Sequence, residues 1–152
     1  EMPVYIPNAV DLSTAIKHME KMGFDVSGIK PTKIIGFCTG FHGETLLRIR
    51  RSGTPDPKPT LLPTQGMRVI RHYADDNYLC LLGWIYATIL FRTVTGSALD
   101  SDGTFTVTPS NRLWDRCLYV GVKDGVVTTD IMRFDTKNGL LGKRLVRKVR
   151  FK

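Results

Sequence analysis

The stretch Tyr78–Phe91, YLCLLGWIYATILF, contains fourteen residues and no charged side chain. Asp75 and Asp76 stand just before it, and Arg92 follows it directly. Acidic groups near the first turn and a basic group near the last turn suit the dipole of an α-helix. A helix of this length measures about 21 Å, which is shorter than the roughly 30 Å hydrocarbon core of a bilayer. The stretch therefore predicts a helix buried inside a protein domain.

Several side chains within this stretch keep a second interpretation open. Ile85, Tyr86 and Thr88 are β-branched or aromatic, and such residues are typical of strands. Part of the stretch therefore also fits a buried strand. In both interpretations the other segments pack around it, and we expect Trp84 and Phe91 to be largely buried.

Length, composition and cysteine content limit the class of protein. The chain has 152 residues, of which 42% are hydrophobic, and this is enough for the core of one domain. Cys38, Cys80 and Cys117 are odd in number and have apolar neighbours, which favours reduced thiols in an intracellular protein over a disulfide scaffold. The first residues lack the basic and then apolar pattern of a signal peptide, so secretion is not expected.

The positive charge is concentrated at the C-terminal end. The net charge is +8, and the segment 137–152 contributes +7 because it holds seven basic residues and no acidic one. The remaining residues hold fifteen basic and fourteen acidic side chains. We therefore divide the chain into a nearly neutral globular domain, 1–136, and a basic C-terminal segment, 137–152. Such asymmetry indicates a polyanionic partner, either nucleic acid or an anionic membrane surface.

Two groups of basic residues are the candidate polyanion-binding positions. Helical spacing would place Leu141, Leu145 and Val149 on one stripe, whereas a strand would place Leu145, Val149 and Phe151 on one face, and both predict an apolar side and a cationic side. A solvated, frayed terminus is the alternative. The C-terminal candidates are Lys143, Arg144, Arg147, Lys148, Arg150 and Lys152, and the second group is Arg48, Arg50 and Arg51.

The patterning elsewhere predicts short elements of both kinds. Asp11 or Asn8 can cap a helix whose apolar stripe ends before Gly23. Asp124-Gly125 predicts a hairpin between strands at 118–122 and 126–132. Further strands are predicted at 3–7 (an edge strand), 33–39, 44–51, 67–73 and 104–108, with a proline-rich loop at 52–66 and a turn at 96–103. We expect an α+β fold, a single compact domain in which a mostly antiparallel sheet of five to seven strands packs with two or three helices.

No motif predicts catalysis or a cofactor. Cys38, His42 and Glu44 lie close together in the sequence, which suggests a Cys-His nucleophile, but a glycine-rich turn explains the same residues. A catalytic cysteine and histidine normally meet in space rather than four residues apart. The glycines are not followed by the Lys-Ser/Thr of a phosphate-binding loop, and the cysteines and histidines lack the paired spacing of a zinc site. His18, beside the stripe of the first helix, is interpreted as structural.

Leu61 and Leu62 lie within the proline-rich loop, between Pro59 and Pro63. An apolar pair bounded by prolines either packs back onto the domain or docks on another molecule. The docking interpretation makes Leu61 and Leu62 candidates for self-association.

The segment Val4–Gly43 resembles the start of the globular domain of rhabdovirus matrix proteins. The resemblance is carried by PVYIP, then DLSTAIKHMEKM, then KPTKIIGFCTG, which follow the family's strand, short helix, Lys-Pro turn and apolar strand. It covers about a quarter of the chain. The proline-tyrosine budding motif of the animal viruses is absent, and the basic cluster lies at the C-terminus instead of the N-terminal arm. A plant-infecting or otherwise divergent member fits these departures best.

This resemblance implies a protein without an active site or small-molecule substrate. Matrix proteins self-associate, lie against the inner leaflet of an anionic membrane and condense the viral ribonucleoprotein. The expected location is the host cytoplasm or nucleus and the virion beneath its envelope. Two other functions stay open from the residues alone: a small basic RNA-binding protein that uses Trp114 or Tyr119 as stacking platforms, and a Cys-dependent enzyme built on Cys38.

Overall fold

The computed structural model describes residues 1–8, 10–34, 45–55, 79–108, 116–133, 141–142 and 146–149. These residues form three helices and eight strands, of which seven strands have four residues or more. The predicted α+β class is confirmed. The strands form two sheets rather than one, and most of their pairings are antiparallel as predicted.

The apolar stretch that dominates the sequence forms a helix, Leu81–Thr95, which is the longest element described and is named α3 below. It begins after Cys80, whose Sγ accepts a hydrogen bond from the Gly83 amide at 3.4 Å. It ends at Gly96, which has a left-handed φ of 79° and donates its amide to the Arg92 carbonyl. The helix therefore starts later than Tyr78 and runs one turn beyond Phe91, since the left-handed conformation ends it only at the glycine.

The N-terminal segment forms strand β1, Met2–Ile6, and helix α1, Leu12–Lys21. Asp11 caps α1, because its carboxylate accepts a hydrogen bond from the Thr14 amide at 2.7 Å. Gly23 has a φ of 87° just beyond the helix, as predicted from the sequence. Leu12, Ala15 and Met19 form the buried side of α1.

Two elements after α1 differ from the sequence prediction. Strand β2, Asp25–Gly28, was not predicted, and a short helix α2, Pro31–Ile34, occupies the beginning of the predicted strand 33–39. The strand assignment is therefore wrong for Lys33 and Ile34, because a proline at the first helical position favours a helical turn here. The rest of that predicted strand, together with the predicted strand at 67–73, lies outside the described residues.

One sheet has three antiparallel strands in the order β1-β3-β8, where β3 is Thr45–Ile49 and β8 is Val146–Val149. β1 lies at an edge of this sheet, as its prolines predicted. The other sheet has five strands in the order β2-β6-β5-β4-β7, in which β2 pairs with β6 and β4 with β7 in parallel. Its remaining members are β4, Phe105–Thr108; β5, Arg116–Lys123; β6, Val126–Arg133; and β7, Leu141–Gly142.

The hairpin between β5 and β6 is confirmed. Asp124 and Gly125 both have positive φ angles, 53° and 78°, and the strands pair from Lys123 and Val126 outward. Two consecutive positive φ angles are the geometry that makes Asp-Gly a preferred hairpin turn.

The core centres on α3, and both predicted core aromatics are buried. Trp84 is fully buried and Phe91 is 7% exposed. The indole Nε1 of Trp84 donates to Oδ2 of the buried Asp100 at 2.8 Å, and the same oxygen accepts from Thr106 Oγ1 at 2.6 Å. The Asp100 amide donates to the Gly53 carbonyl at 2.7 Å. These bonds connect α3 with the five-stranded sheet and the segment after β3.

None of the helices in the described parts of the chain combines the length and the apolar character needed to cross a membrane. The fifteen residues of α3 include Arg92 in its last turn.

Candidate polyanion-binding surface

The first basic group belongs to the middle strand of the three-stranded sheet and the residues after it. In β3, Leu47 and Ile49 are buried, whereas Arg48 between them is exposed. This alternation is expected of a strand that covers the core with one face. Arg50 and Arg51 follow the strand and are also exposed. Three predicted basic residues therefore lie together at the surface.

The register of β8 brings the second basic group to the same sheet. Arg147 pairs with Arg48, and Lys148 pairs with Leu47. The basic C-terminal segment thus contributes a strand to the three-stranded sheet, and Leu141–Gly142 contributes another to the five-stranded sheet. Of the conformations considered from the sequence, Val146–Val149 adopts the strand.

Neighbouring positions of a strand lie on opposite faces, so Arg147 and Lys148 do not share one. In the register of the two strands, Arg147 stands opposite the exposed Arg48, and Lys148 stands opposite the buried Leu47. The side chains of Val146–Val149 lie outside the described part of the structure, so the expected apolar and cationic sides stay a prediction.

We define the outer sheet face as the side of this sheet that carries Arg48. β1 places Tyr5 on it, in register with Leu46, and Tyr5 is 50% exposed. Pro3 pairs with Arg48, so Tyr5 and Arg48 are diagonal neighbours on adjacent strands. Such neighbours stand about 7–8 Å apart, which long side chains can bridge. The positions that form the outer sheet face are Pro3, Tyr5, Leu46, Arg48, Arg147 and Val149.

The pairing of Arg48 with Arg147 has an electrostatic consequence. Directly opposite residues in an antiparallel pair have Cβ atoms about 4.5–5.5 Å apart, and like charges at such positions destabilise the sheet. The register therefore brings two arginine positions next to each other on adjacent strands.

Tyr119, the described member of the two proposed stacking aromatics, is not a free platform. Its ring packs edge-to-face against Phe105, with centroids 5.1 Å apart and an interplanar angle of 82°, and the residue is half-buried. The alternation of PVYIP contained the signal for Tyr5, since a strand that buries Val4 and Ile6 turns Tyr5 outward.

The other predicted site residues lie outside the described part of the chain. These are the polyanion-binding candidates Lys143, Arg144, Arg150 and Lys152, the self-association pair Leu61 and Leu62, the Cys38, His42 and Glu44 group, and Trp114.

The described histidine and cysteine have structural contacts. His18 Nδ1 lies 2.8 Å from the hydroxyl of Tyr86, and the two rings pack edge-to-face. Burial raises the pKa of the Tyr86 phenol. Cys80 is buried at the start of α3, where its Sγ accepts the hydrogen bond from the Gly83 amide. Within the described ranges, no cluster of three or more histidine, cysteine or acidic residues could hold a metal ion.

We compared the chain with protein-family models, with curated proteins and with solved structures, and none of the three comparisons returned a match.

Proposed function

We propose that this chain is a non-enzymatic, viral matrix-type structural protein. In this proposal it self-associates, binds the anionic inner surface of a membrane and condenses the viral ribonucleoprotein during virion assembly. It acts inside the host cell and in the virion beneath the envelope. The observation that supports the proposal most strongly is the pairing of Arg48 with Arg147 on the outer sheet face.

This pairing matters because it joins two basic segments that are far apart in the sequence. Arg48, Arg50 and Arg51 are exposed in and after β3, and the C-terminal segment supplies most of the net charge of +8. Each lysine or arginine near an anionic membrane contributes about 1 kcal/mol of attraction. The same groups displace counterions from nucleic acid. A surface of this kind can hold a membrane and a ribonucleoprotein without a specific pocket.

Two measurements test the proposal. Binding to anionic vesicles tests the membrane role, and sedimentation at several protein and salt concentrations tests self-association. Wild-type protein should bind vesicles that contain phosphatidylserine, and its sedimentation coefficient should rise with concentration. Neutralising the basic positions should weaken vesicle binding by orders of magnitude and leave the circular dichroism spectrum unchanged. The positions to neutralise are Arg144, Arg147, Lys148, Arg150 and Lys152.

Lys17→Ala with Lys21→Ala is a suitable control, because both lysines are exposed on α1, outside the three-stranded sheet. Vesicle binding that survives neutralisation, or that falls equally in the control, would contradict a binding surface on this sheet. A monomer at all concentrations would contradict the assembly role.

A small basic RNA-binding protein is the second candidate function. The specific observation that favours it is the exposed ring of Tyr5 diagonal to Arg48, since unpaired bases stack on aromatic side chains. Stoichiometric RNA binding by a protein that stays monomeric would select this function over the matrix-type one.

A further inference from the structure

We propose that Thr54 is a phosphorylation site for a proline-directed protein kinase, and that its phosphate weakens polyanion binding by the basic residues just before it. This inference rests on the proposed function, in which the three-stranded sheet and the residues after β3 bind a polyanion. It adds a way to regulate that binding.

The chain contains two Thr-Pro dipeptides, Thr54-Pro55 and Thr108-Pro109, and no other serine or threonine is followed by proline. A proline-directed kinase requires such a dipeptide, because its substrate cleft accepts a residue without a backbone N–H directly after the acceptor. By sequence the two threonines are equivalent candidates, and their positions in the fold distinguish them.

Thr108 is inaccessible to a kinase. It lies in β4, its side chain is 1% exposed, and its Oγ1 donates a hydrogen bond to the Leu118 carbonyl on the paired strand β5 at 3.1 Å. A phosphate at this position would be a buried charge, which the folded sheet cannot accommodate. The folded chain therefore excludes Thr108 as an acceptor.

Thr54 is the accessible threonine of the two. The chain is bonded to the core as far as Gly53, whose carbonyl accepts a hydrogen bond from the Asp100 amide at 2.7 Å, and Thr54 follows as an exposed residue. Its hydroxyl lies 3.2 Å from the Ser52 hydroxyl, which is longer than most O–H···O hydrogen bonds, so little energy opposes its release. Because Pro55 follows, Thr54 favours an extended backbone, the conformation that a kinase cleft binds.

The reaction is a phosphoryl transfer to the Thr54 hydroxyl. Oγ1 attacks the γ-phosphorus of the ATP that the kinase holds, the bond from this phosphorus to the oxygen bridging it to the β-phosphate breaks, and ADP leaves. The hydroxyl proton passes to the catalytic aspartate of the kinase. The chain supplies only the acceptor.

The new charge would stand beside the first basic group. Arg51, Arg50 and Arg48 precede Thr54 by three, four and six residues, and all three are exposed. Three residues of extended chain span at most about 11 Å, which is close to the Debye length of about 8–10 Å in physiological salt. A phosphothreonine carries about −1.5 to −2 charges at pH 7, so it offsets roughly two of the three arginines. Arginine binds phosphate through paired hydrogen bonds, so the modified residue competes with an external polyanion.

Incubating the folded full chain with ATP and a purified cyclin-dependent kinase, which is proline-directed, tests the site. Mass spectrometry should show one phosphate per chain, located at Thr54. Thr54→Val should abolish incorporation, whereas Thr108→Val should leave it unchanged, and circular dichroism establishes that both variants are folded. Incorporation at Thr108 of the folded chain, or none at Thr54, would overturn the assignment.

The regulatory effect is measured by binding of phosphorylated and unmodified protein to two probes, vesicles of phosphatidylcholine with phosphatidylserine and a short oligouridylate. Phosphorylation should weaken vesicle binding by roughly 10- to 30-fold, and the difference should shrink as salt is added. Thr54→Glu adds one negative charge and should weaken vesicle binding by roughly 5-fold, whereas the neutral Thr54→Gln should bind as the wild type does. Ser13→Glu is the control for position, since Ser13 is exposed on α1, outside the three-stranded sheet.

Two outcomes would overturn the regulatory role while the proposed function stands: equally tight binding of both probes by phosphorylated and unmodified protein, or an equal loss in Ser13→Glu. An unmodified protein that binds neither probe would overturn the proposed function itself.

Discussion

Replacing Trp84 by phenylalanine tests how the central helix is held in the core. Trp84 is fully buried, and its Nε1 donates to Asp100 Oδ2 at 2.8 Å. The substitution removes this bond and leaves Thr106 Oγ1 as a donor to the same oxygen at 2.6 Å. Losing one partner of a buried acceptor costs about 1–3 kcal/mol, and the smaller ring adds about 1 kcal/mol. We expect the free energy of unfolding to fall by about 2–4 kcal/mol, and Trp84→Ala to cost about 3–5 kcal/mol.

Urea unfolding followed by circular dichroism measures these differences. If the slope of unfolding free energy against urea concentration is the same in variant and wild type, the substitution has changed stability without changing the compactness of the folded or unfolded state. Thr106→Val removes a second donor to Asp100 Oδ2. Combined with Trp84→Phe it should cost more than the two single variants together, because each single variant keeps one of these two donors. Val94→Ala is the control, since Val94 is 49% exposed on the same helix and should change stability by less than about 0.5 kcal/mol. A loss below about 0.5 kcal/mol in Trp84→Phe would refute the stabilising role of the bond.

Three further predictions concern a helix cap, the half-buried Tyr86 and the proline-rich loop. Asp11→Ala should lower the melting temperature, because the Thr14 amide loses its acceptor. Hydrogen bonding lowers the pKa of Asp11, so its carboxylate stabilises the folded chain above pH 3.8. The difference in melting temperature between variant and wild type should therefore disappear as the pH falls below that value. Burial raises the pKa of Tyr86, so the melting temperature of the wild type should hold up to the ordinary tyrosine pKa of 10.0 and fall as the pH rises beyond it. In Tyr86→Phe, which has no phenol to ionise, the melting temperature should fall less over the same pH range. Leu61→Ser with Leu62→Ser should keep the circular dichroism spectrum and abolish self-association in sedimentation, and unchanged assembly would reduce the loop to a connector.

Patterns within short stretches of sequence predicted the helices and turns whose formation depends on neighbouring residues. The apolar stretch around Trp84 predicted the buried helix because fourteen uncharged residues are difficult to place elsewhere. Asp124-Gly125 predicted the hairpin because these residues accept the positive φ angles that the turn requires. The C-terminal end of α3 was misplaced, since the charged Arg92 interrupts the apolar run although the helix continues through Thr95.

Pairing between distant segments could not be predicted in this way. Asp25–Gly28 has weak strand propensity and becomes a strand through its parallel pairing with β6. The position of Arg147 beside Arg48 depends on the register of β8 along β3, which no local pattern specifies. The basic residues of the candidate surface were therefore identified by charge alone, and their arrangement with Tyr5 emerged only from the sheet.

The salt dependence of binding to single-stranded RNA tests the central claim most directly, since it counts phosphate contacts. Each contact contributes a slope of about 0.7 in a plot of log affinity against log salt concentration. We predict that Arg48→Ala with Arg147→Ala lowers the wild-type slope by about 1.4, whereas Lys17→Ala with Lys21→Ala leaves it unchanged. An unchanged slope in the arginine double variant, or an equal reduction in the lysine control, would contradict a polyanion-binding surface on the three-stranded sheet.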